Sequence, residues 1–223
     1  MELLAQGRDC DVYDCGDGTV LRRSRQEYDQ THEARVLAYV AERGYPVPEV
    51  HELIEDGRDL IMEKVPGPTM VESLVKRPWR ARRAGAELAE LHARLHAIPA
   101  PDWLPALDDG DRLLHFDLHP LNVILSPSGP VVIDWTNATR GRAGYDLARA
   151  WVLMASADAK VGWPLRLVLT QVRRRLVEGF VDAAGREEAQ AGLGFAVEVT
   201  LLDPNISDAE KARMRALAEA EGG

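Results

Sequence analysis

The hydrophobic pattern of the chain changes period at the loop "VPGP", residues 65–68, and that change limits the folds open to it. Before the loop, short β-like runs surround one helical segment. "DVYDC" and "TVLRRS" flank the turn "GDG" and read as a β-hairpin, while "VPEVHELIED" and "GRDLIMEK" read as two more strands joined around Asp56 and Gly57. Between these pairs, "QEYDQTHEARVLAYVAERG" carries Ala34, Leu37, Val40 and Ala41 at helical spacing, with Gly44 where a helix should stop.

After the loop, helical spacing takes over. "PWRARRAGAELAELHARLHAI" bears Ala84, Leu88, Leu91, Leu95 and Ile98 as one apolar stripe, so that face is expected in a core. His92 and His96, four residues apart on the same helix and without a third metal ligand, read as a helix-surface pair. Two short strands, "NVIL" and "VVID", joined by "SPSGP", interrupt the helices, and Ser207 with Glu210 reads as a capping box for the last helix. The pattern predicts an α+β chain: a small antiparallel sheet with one helix over residues 1–63, a connecting loop at 64–68, and a mainly helical part over 69–223.

Charge and cysteine usage narrow the function classes. With 27 Lys and Arg against 36 Asp and Glu, the formal net charge is −9. That balance disfavours nucleic-acid or anionic-membrane binding and suits a small-molecule or cationic partner. Cys10 and Cys15 are the two cysteines, too few for a disulfide framework, so both are expected as free thiols. The N-terminus "MELLAQGRDC" lacks a basic leader, and no run of about 18 apolar residues occurs, so neither export nor membrane insertion is expected and a cytoplasmic location is.

The stretch "LLHFDLHPLN", residues 113–122, carries the chemistry and admits two readings. As a strand it would turn His115, Asp117 and His119 to one face, a workable cage for zinc or iron in a metallohydrolase. Pro120 disrupts such a strand, and no His or Cys follows to complete the site. The second reading uses Asn122 and Asp134, at the two ends of the "NVIL" and "VVID" hairpin. If the loop spans residues 126–130, Leu125 pairs with Val131 and Asn122 falls opposite Asp134 on one face. An amide oxygen and a carboxylate then converge, which suits Mg²⁺, and Asp117 is left to receive or orient a substrate hydroxyl.

On these residues the chain resembles the aminoglycoside phosphotransferase family of the protein-kinase-like superfamily, whose catalytic loop HxDxxxxN precedes an apolar strand ending in Asp. Here those are "HFDLHPLN" and "PVVIDW". The resemblance implies a bilobal kinase-like fold and an ATP- and Mg²⁺-dependent kinase, with GTP left open as donor. The implied acceptor is a small-molecule hydroxyl, aminoglycosides and other cationic compounds included, and the enzyme would be a monomer or homodimer. It implies Asp117 as the catalytic base and Asn122 and Asp134 as metal ligands, supported by His115 and by Asp146 in "GYDLARAW". "GRDCDVY" looks like the phosphate-covering loop and "LIMEKVPG" like the hinge, which makes Gly7, Arg22, Glu33, Glu63 and Val65 the implied nucleotide-binding residues. Two departures stand out: Arg22 occupies the position where the family usually carries lysine, and the loop before "RDCDVY" holds one glycine. They motivate the alternative of a nucleotide-binding, regulatory pseudokinase. With little chain between residues 66 and 114 to build an acceptor pocket, that pocket is expected on the C-terminal helices, roughly 151–195.

Overall fold

The computed structural model describes residues 1–6, 10–25, 29–54, 57–157, 163–204 and 206–221, apart from the side chains of 163–166. Gly7 and Asp56 lie outside the described residues. The chain forms two compact units, Met1–Thr69 with Asn122–Ala138, and Met70–Leu121 with Thr139–Gly223.

In the first unit, β1 (Glu2–Gln6), β2 (Cys10–Asp14), β3 (Thr19–Ser24), β4 (Val50–Ile54) and β5 (Asp59–Glu63) form an antiparallel sheet in the order β1-β2-β3-β5-β4. The β2–β3 turn needs positive φ at Gly16 and Gly18, which glycine adopts without a Cβ clash. Helix α1 (Thr31–Ala41) buries Val36, Leu37 and Val40, and ends before Gly44, whose amide donates to Ala41 O at φ 72°. β1 was not legible beforehand: all five of its residues are exposed and follow no alternation, as an edge strand permits. Cys10 and Cys15 are both free thiols.

The same unit holds the hairpin of β7 (Val123–Ser126) and β8 (Gly129–Val132). Its register corrects the expected one. Leu125 pairs with Pro130, not Val131, because a two-residue turn at Pro127 and Ser128 replaces the expected five-residue loop. Ser126 Oγ closes that turn by donating to Gly129 O at 2.8 Å, and Gly129 itself sits at φ 130°. A slip of one residue exchanges the faces of a strand, so Asn122 stands opposite Ile133, whose N–H donates to Asn122 O at 3.0 Å. Asp134 follows beyond the paired strand, with φ 65°.

The second unit contains α2 (Met70–Lys76), α3 (Ala81–His96), α4 (Ala143–Ser156), α5 (Trp163–Ala184), α6 (Arg186–Ala191), α7 (Leu193–Leu201) and α8 (Asp208–Glu221). A short ladder joins β6 (Arg112–Leu114) to β9 (Thr139–Gly141). The apolar stripe of α3 is buried from Ala84 to Ile98, and the helix packs along α5. Ser207 and Glu210 exchange the reciprocal bonds of a capping box, Glu210 N to Ser207 Oγ at 3.3 Å and Ser207 N to Glu210 Oε2 at 3.0 Å. Among the described residues no helix is long and apolar enough to cross a membrane.

Glycines let α3 and α5 approach backbone to backbone. A Cβ on Gly85 would stand 2.1 Å from Leu176 O, and one on Gly179 would stand 2.0 Å from Arg82 O. Gly85→Ala is therefore expected to lower stability by about 2 kcal/mol, although alanine is the better helix former by about 1 kcal/mol. Denaturant unfolding checks the sign: a neutral or stabilising result would mean that the two helices part at little cost.

Candidate active site

Two clusters of functional side chains are built, one in each unit. In the first, the pleat of β3 turns Arg22 inward and Arg23 outward, where Arg23 Nε meets Asp59 Oδ1 at 2.9 Å on the neighbouring strand. Arg22 forms an ion pair with Glu33, in the first turn of α1, and Arg22 Nη2 donates to Asp134 Oδ1 at 3.0 Å. Glu33, 1% exposed, accepts from Trp135 N at 3.1 Å. Thr136 Oγ1 lies 3.3 Å from Glu33 Oε2 and 3.0 Å from Asp134 Oδ1, and accepts from Arg22 at 3.2 Å. Burial opposes the Arg22 charge, but Glu33 and Asp134 outweigh it and hold the guanidinium protonated above its ordinary range.

The positive φ of Asp134 re-aims its carboxylate out of the β8 pleat, so the contact with Arg22 does not depend on the strand face that the sequence suggested. Trp135 anchors this stretch by donating from Nε1 to Val132 O at 3.2 Å and packing edge-on against Tyr45. Asn122 is buried, with its carbonyl held by Ile133. Glu63 and Val65 lie at and just after the end of β5, where Glu63 Oε2 accepts from Glu49 N at 3.3 Å.

In the second unit Asp146 organises the loop that carries Asp117. Fully buried in the first turn of α4, it accepts from His115 N at 3.2 Å, Phe116 N at 2.8 Å and His96 Nε2 at 2.9 Å. Burial alone would raise its pKa, but the His96 bond, with His92 and His115 nearby, holds the carboxyl below the usual carboxylate range. Phe116 sits at φ 62°, a conformation that needs such support. Arg149, three residues after Asp146 on the same face of α4, donates to Phe116 O at 2.6 Å and covers the Phe116 ring at 4.7 Å. His115 Nδ1 accepts from Asp117 N at 3.2 Å, and His119 Nε2 lies 3.8 Å from Asp117 Oδ1. Among the described residues no three His, Cys, Asp or Glu side chains are grouped as a metal cage would need.

The two α3 histidines correct the surface reading, since both are buried. His96 holds Asp146, and His92 donates from Nδ1 to Leu88 O at 3.0 Å while its Nε2 is buried and its ring packs at 67° to that of Phe180, centroids 5.2 Å apart. Burial pushes His92 down to about 4 from an ordinary 6.5. The unfolded chain therefore binds a proton that the folded chain refuses between those pH values, and stability falls on acidification. His92→Phe is expected to flatten the stability curve between pH 6.5 and 4, where the parent loses roughly 3 kcal/mol through this group. Urea unfolding at the two pH values measures it, and an unchanged slope would sink the assignment.

A model described as a phosphotransferase enzyme family matches residues 1–112 and 102–191. The chain belongs to this family of O-phosphotransferase enzymes. Solved structures agree on the fold. Aminoglycoside phosphotransferase APH(4)-Ia shares 17% identity at a TM-score of 0.67, over 99% of this chain and 93% of that one. A choline/ethanolamine kinase family protein from Mesorhizobium loti shares 16% at 0.63, over 98% and 87%. The streptomycin and ATP complex of APH(2")-IIa shares 15% at 0.54, over 94% and 88%. No curated protein matches the chain. The fold of this phosphotransferase is thus the α+β, protein-kinase-like one.

Sequence reasoning missed three contributors to the phosphotransferase clusters. Thr136 and Arg149 carry no motif signal, although each lies two or three residues from a residue that does. His96 was detectable, because it extends the Leu88, Leu91, Leu95 face by helical spacing. The second unit also carries a half-open cavity of about 630 Å³ beside the Asp117 loop. Its walls come from α4 and α5, with Leu74 and Val75 of α2 and Met214 of α8.

Proposed function

We propose that the protein is an ATP- and Mg²⁺-dependent kinase that moves the γ-phosphoryl group to a hydroxyl of a small molecule. The observation that carries the reading is the bridge from Arg22 to both Glu33 and Asp134: a fixed cation beside an oxygen ligand, as phosphate handling needs. Asn122 and Asp134 offer an amide and a carboxylate, and the Asp134 side chain is 42% exposed, a donor set of hard oxygens that fits Mg²⁺. When bound, the ion would neutralise charge on the phosphate oxygens.

Asp117 orients the acceptor hydroxyl and takes its proton, from a loop whose backbone is pinned by Asp146 and Arg149. Arg22, steadied by Glu33, meets the α- and β-phosphates, with Gly7, Glu63 and Val65 as further nucleotide contacts and GTP as the other candidate donor. The structures similar in fold include an APH(4)-Ia mutant with AMP-PNP and hygromycin B, which supports a nucleotide donor and a small-molecule acceptor. The net charge of −9, a property of the whole chain, is compatible with a cationic acceptor such as an aminoglycoside, but the lining of the acceptor site decides the class. Free Cys10 and Cys15 suit a cytoplasmic enzyme, working as a monomer or homodimer.

The test is transfer of label from γ-labelled ATP to small-molecule alcohols with and without Mg²⁺. Transfer that proceeds at full rate in chelator sinks the metal assignment. The contact of Arg22 with a metal-ligand carboxylate favours one second reading, a pseudokinase in which the arginine keeps the ion away. Mg²⁺-dependent ATP binding without hydrolysis or transfer would select it.

A further inference from the structure

We propose that the 630 Å³ cavity of the second unit receives the acceptor, and that the acceptor is a neutral, predominantly apolar alcohol and not a polyamino sugar. The inference rests on the phosphotransferase reading with Asp117 as base. Its first support is continuity. His119, Pro120 and Leu121 form one wall, and His119 Nε2 lies 3.8 Å from Asp117 Oδ1, so the wall stands one side chain away from the proposed base.

The second support is the chemistry of the lining. Leu74, Val75, Leu153, Met154, Leu176 and Met214 provide an apolar surface from four helices. At about 300–1,000 Å³ a cavity of this kind suits a ligand of drug size, and apolar walls reward burial of carbon.

The third is local charge, which runs against the charge of the whole chain. Among the described residues Glu210 is the one acid in the lining, and its carboxylate is committed to the Ser207 capping box, accepting both N–H and Oγ. Arg173 and Arg213 also line the cavity and donate at 2.8 Å to Ala157 O and Ser156 O, the carbonyls that close the C-terminal end of α4. A polycation would meet two anchored guanidinium groups, one carboxylate in use, and walls that cannot solvate ammonium groups. The net charge of −9 is a property of the whole chain and does not set the charge of this lining.

The full chain is assayed with γ-labelled ATP against hygromycin B, streptomycin and gentamicin on one side, and n-octanol and octyl glucoside below its micellar concentration on the other. The expected result is a labelled phosphate ester of an apolar alcohol, at a kcat/KM about tenfold or more above any of the three amino sugars. Val75 is 69% exposed, so a charge there can be introduced without burying it in a core. Val75→Asp is expected to raise the KM for the alcohol by about tenfold. A higher kcat/KM for an amino sugar overturns the inference, as does an alcohol KM indifferent to Val75→Asp. If neither panel is phosphorylated, equilibrium binding of octyl glucoside decides: saturable binding lost in Val75→Asp supports the cavity while the transfer reading fails, and no saturable binding overturns the cavity assignment.

Discussion

An Asp117→Asn variant is expected to bind ATP as the parent does and to transfer phosphate at least about a thousandfold more slowly, the upper part of the range for removing a positioned base. Asparagine keeps the size of the side chain and can still accept a hydrogen bond, so the acceptor is oriented but its proton has no destination. The backbone should be unaffected, because the bonds that hold the loop use main-chain atoms and the side chains of Asp146, Arg149 and His115. Single-turnover transfer and equilibrium nucleotide binding together check it. A variant that keeps its turnover with an identified acceptor would falsify the role given to Asp117, and one that loses ATP binding would show that the residue acts through structure.

Asp146→Ala carries the largest expected effect on stability, roughly 3–5 kcal/mol at pH 7, the usual cost of removing one partner from a buried ionic network. Three donors lose their common acceptor at once: His96 Nε2, His115 N and Phe116 N. For a chain of this length the loss corresponds to a fall in the thermal midpoint of about 10 °C. The pH sign follows from the lowered carboxyl. The stabilisation is complete above the unfolded-state value of about 3.9 and is lost as pH falls below it toward the folded-state value, so the full difference is read at neutral pH. Asp146→Asn, which retains one acceptor oxygen, should fall between parent and alanine. Calorimetric unfolding of the three proteins tests the order, and an asparagine variant less stable than the alanine one would argue against the brace.

Much of this architecture was legible because periodicity reports burial. The stripe from Ala84 to Ile98 is a statement about which face meets a core, and that face stands as read. β1 escaped because an exposed edge strand has no core face to impress on its sequence. The hairpin register escaped for another reason: loop length depends on backbone conformation at Gly129, which composition does not encode. In the candidate site, Asp117, Asn122 and Asp134 could be singled out by type and spacing. Thr136, Arg149 and the pairing of His96 with Asp146 arise from tertiary proximity: helical spacing can place His96 on the buried face, but nothing in the sequence names the carboxylate it meets.

The β7–β8 hairpin also works as a ruler. Its two-residue turn at Pro127 and Ser128 counts off the pairs that end at Val123 and Val132, and Asp134 stands two positions past that mark. A residue added to the turn in a way that slipped the pairing by a step would move Asp134 along the sheet relative to Arg22, and its positive φ would then aim the carboxylate from the wrong position. A change of length remote from the ionic cluster would thus be felt there in full, whereas a change of side chain at the same turn would scarcely register.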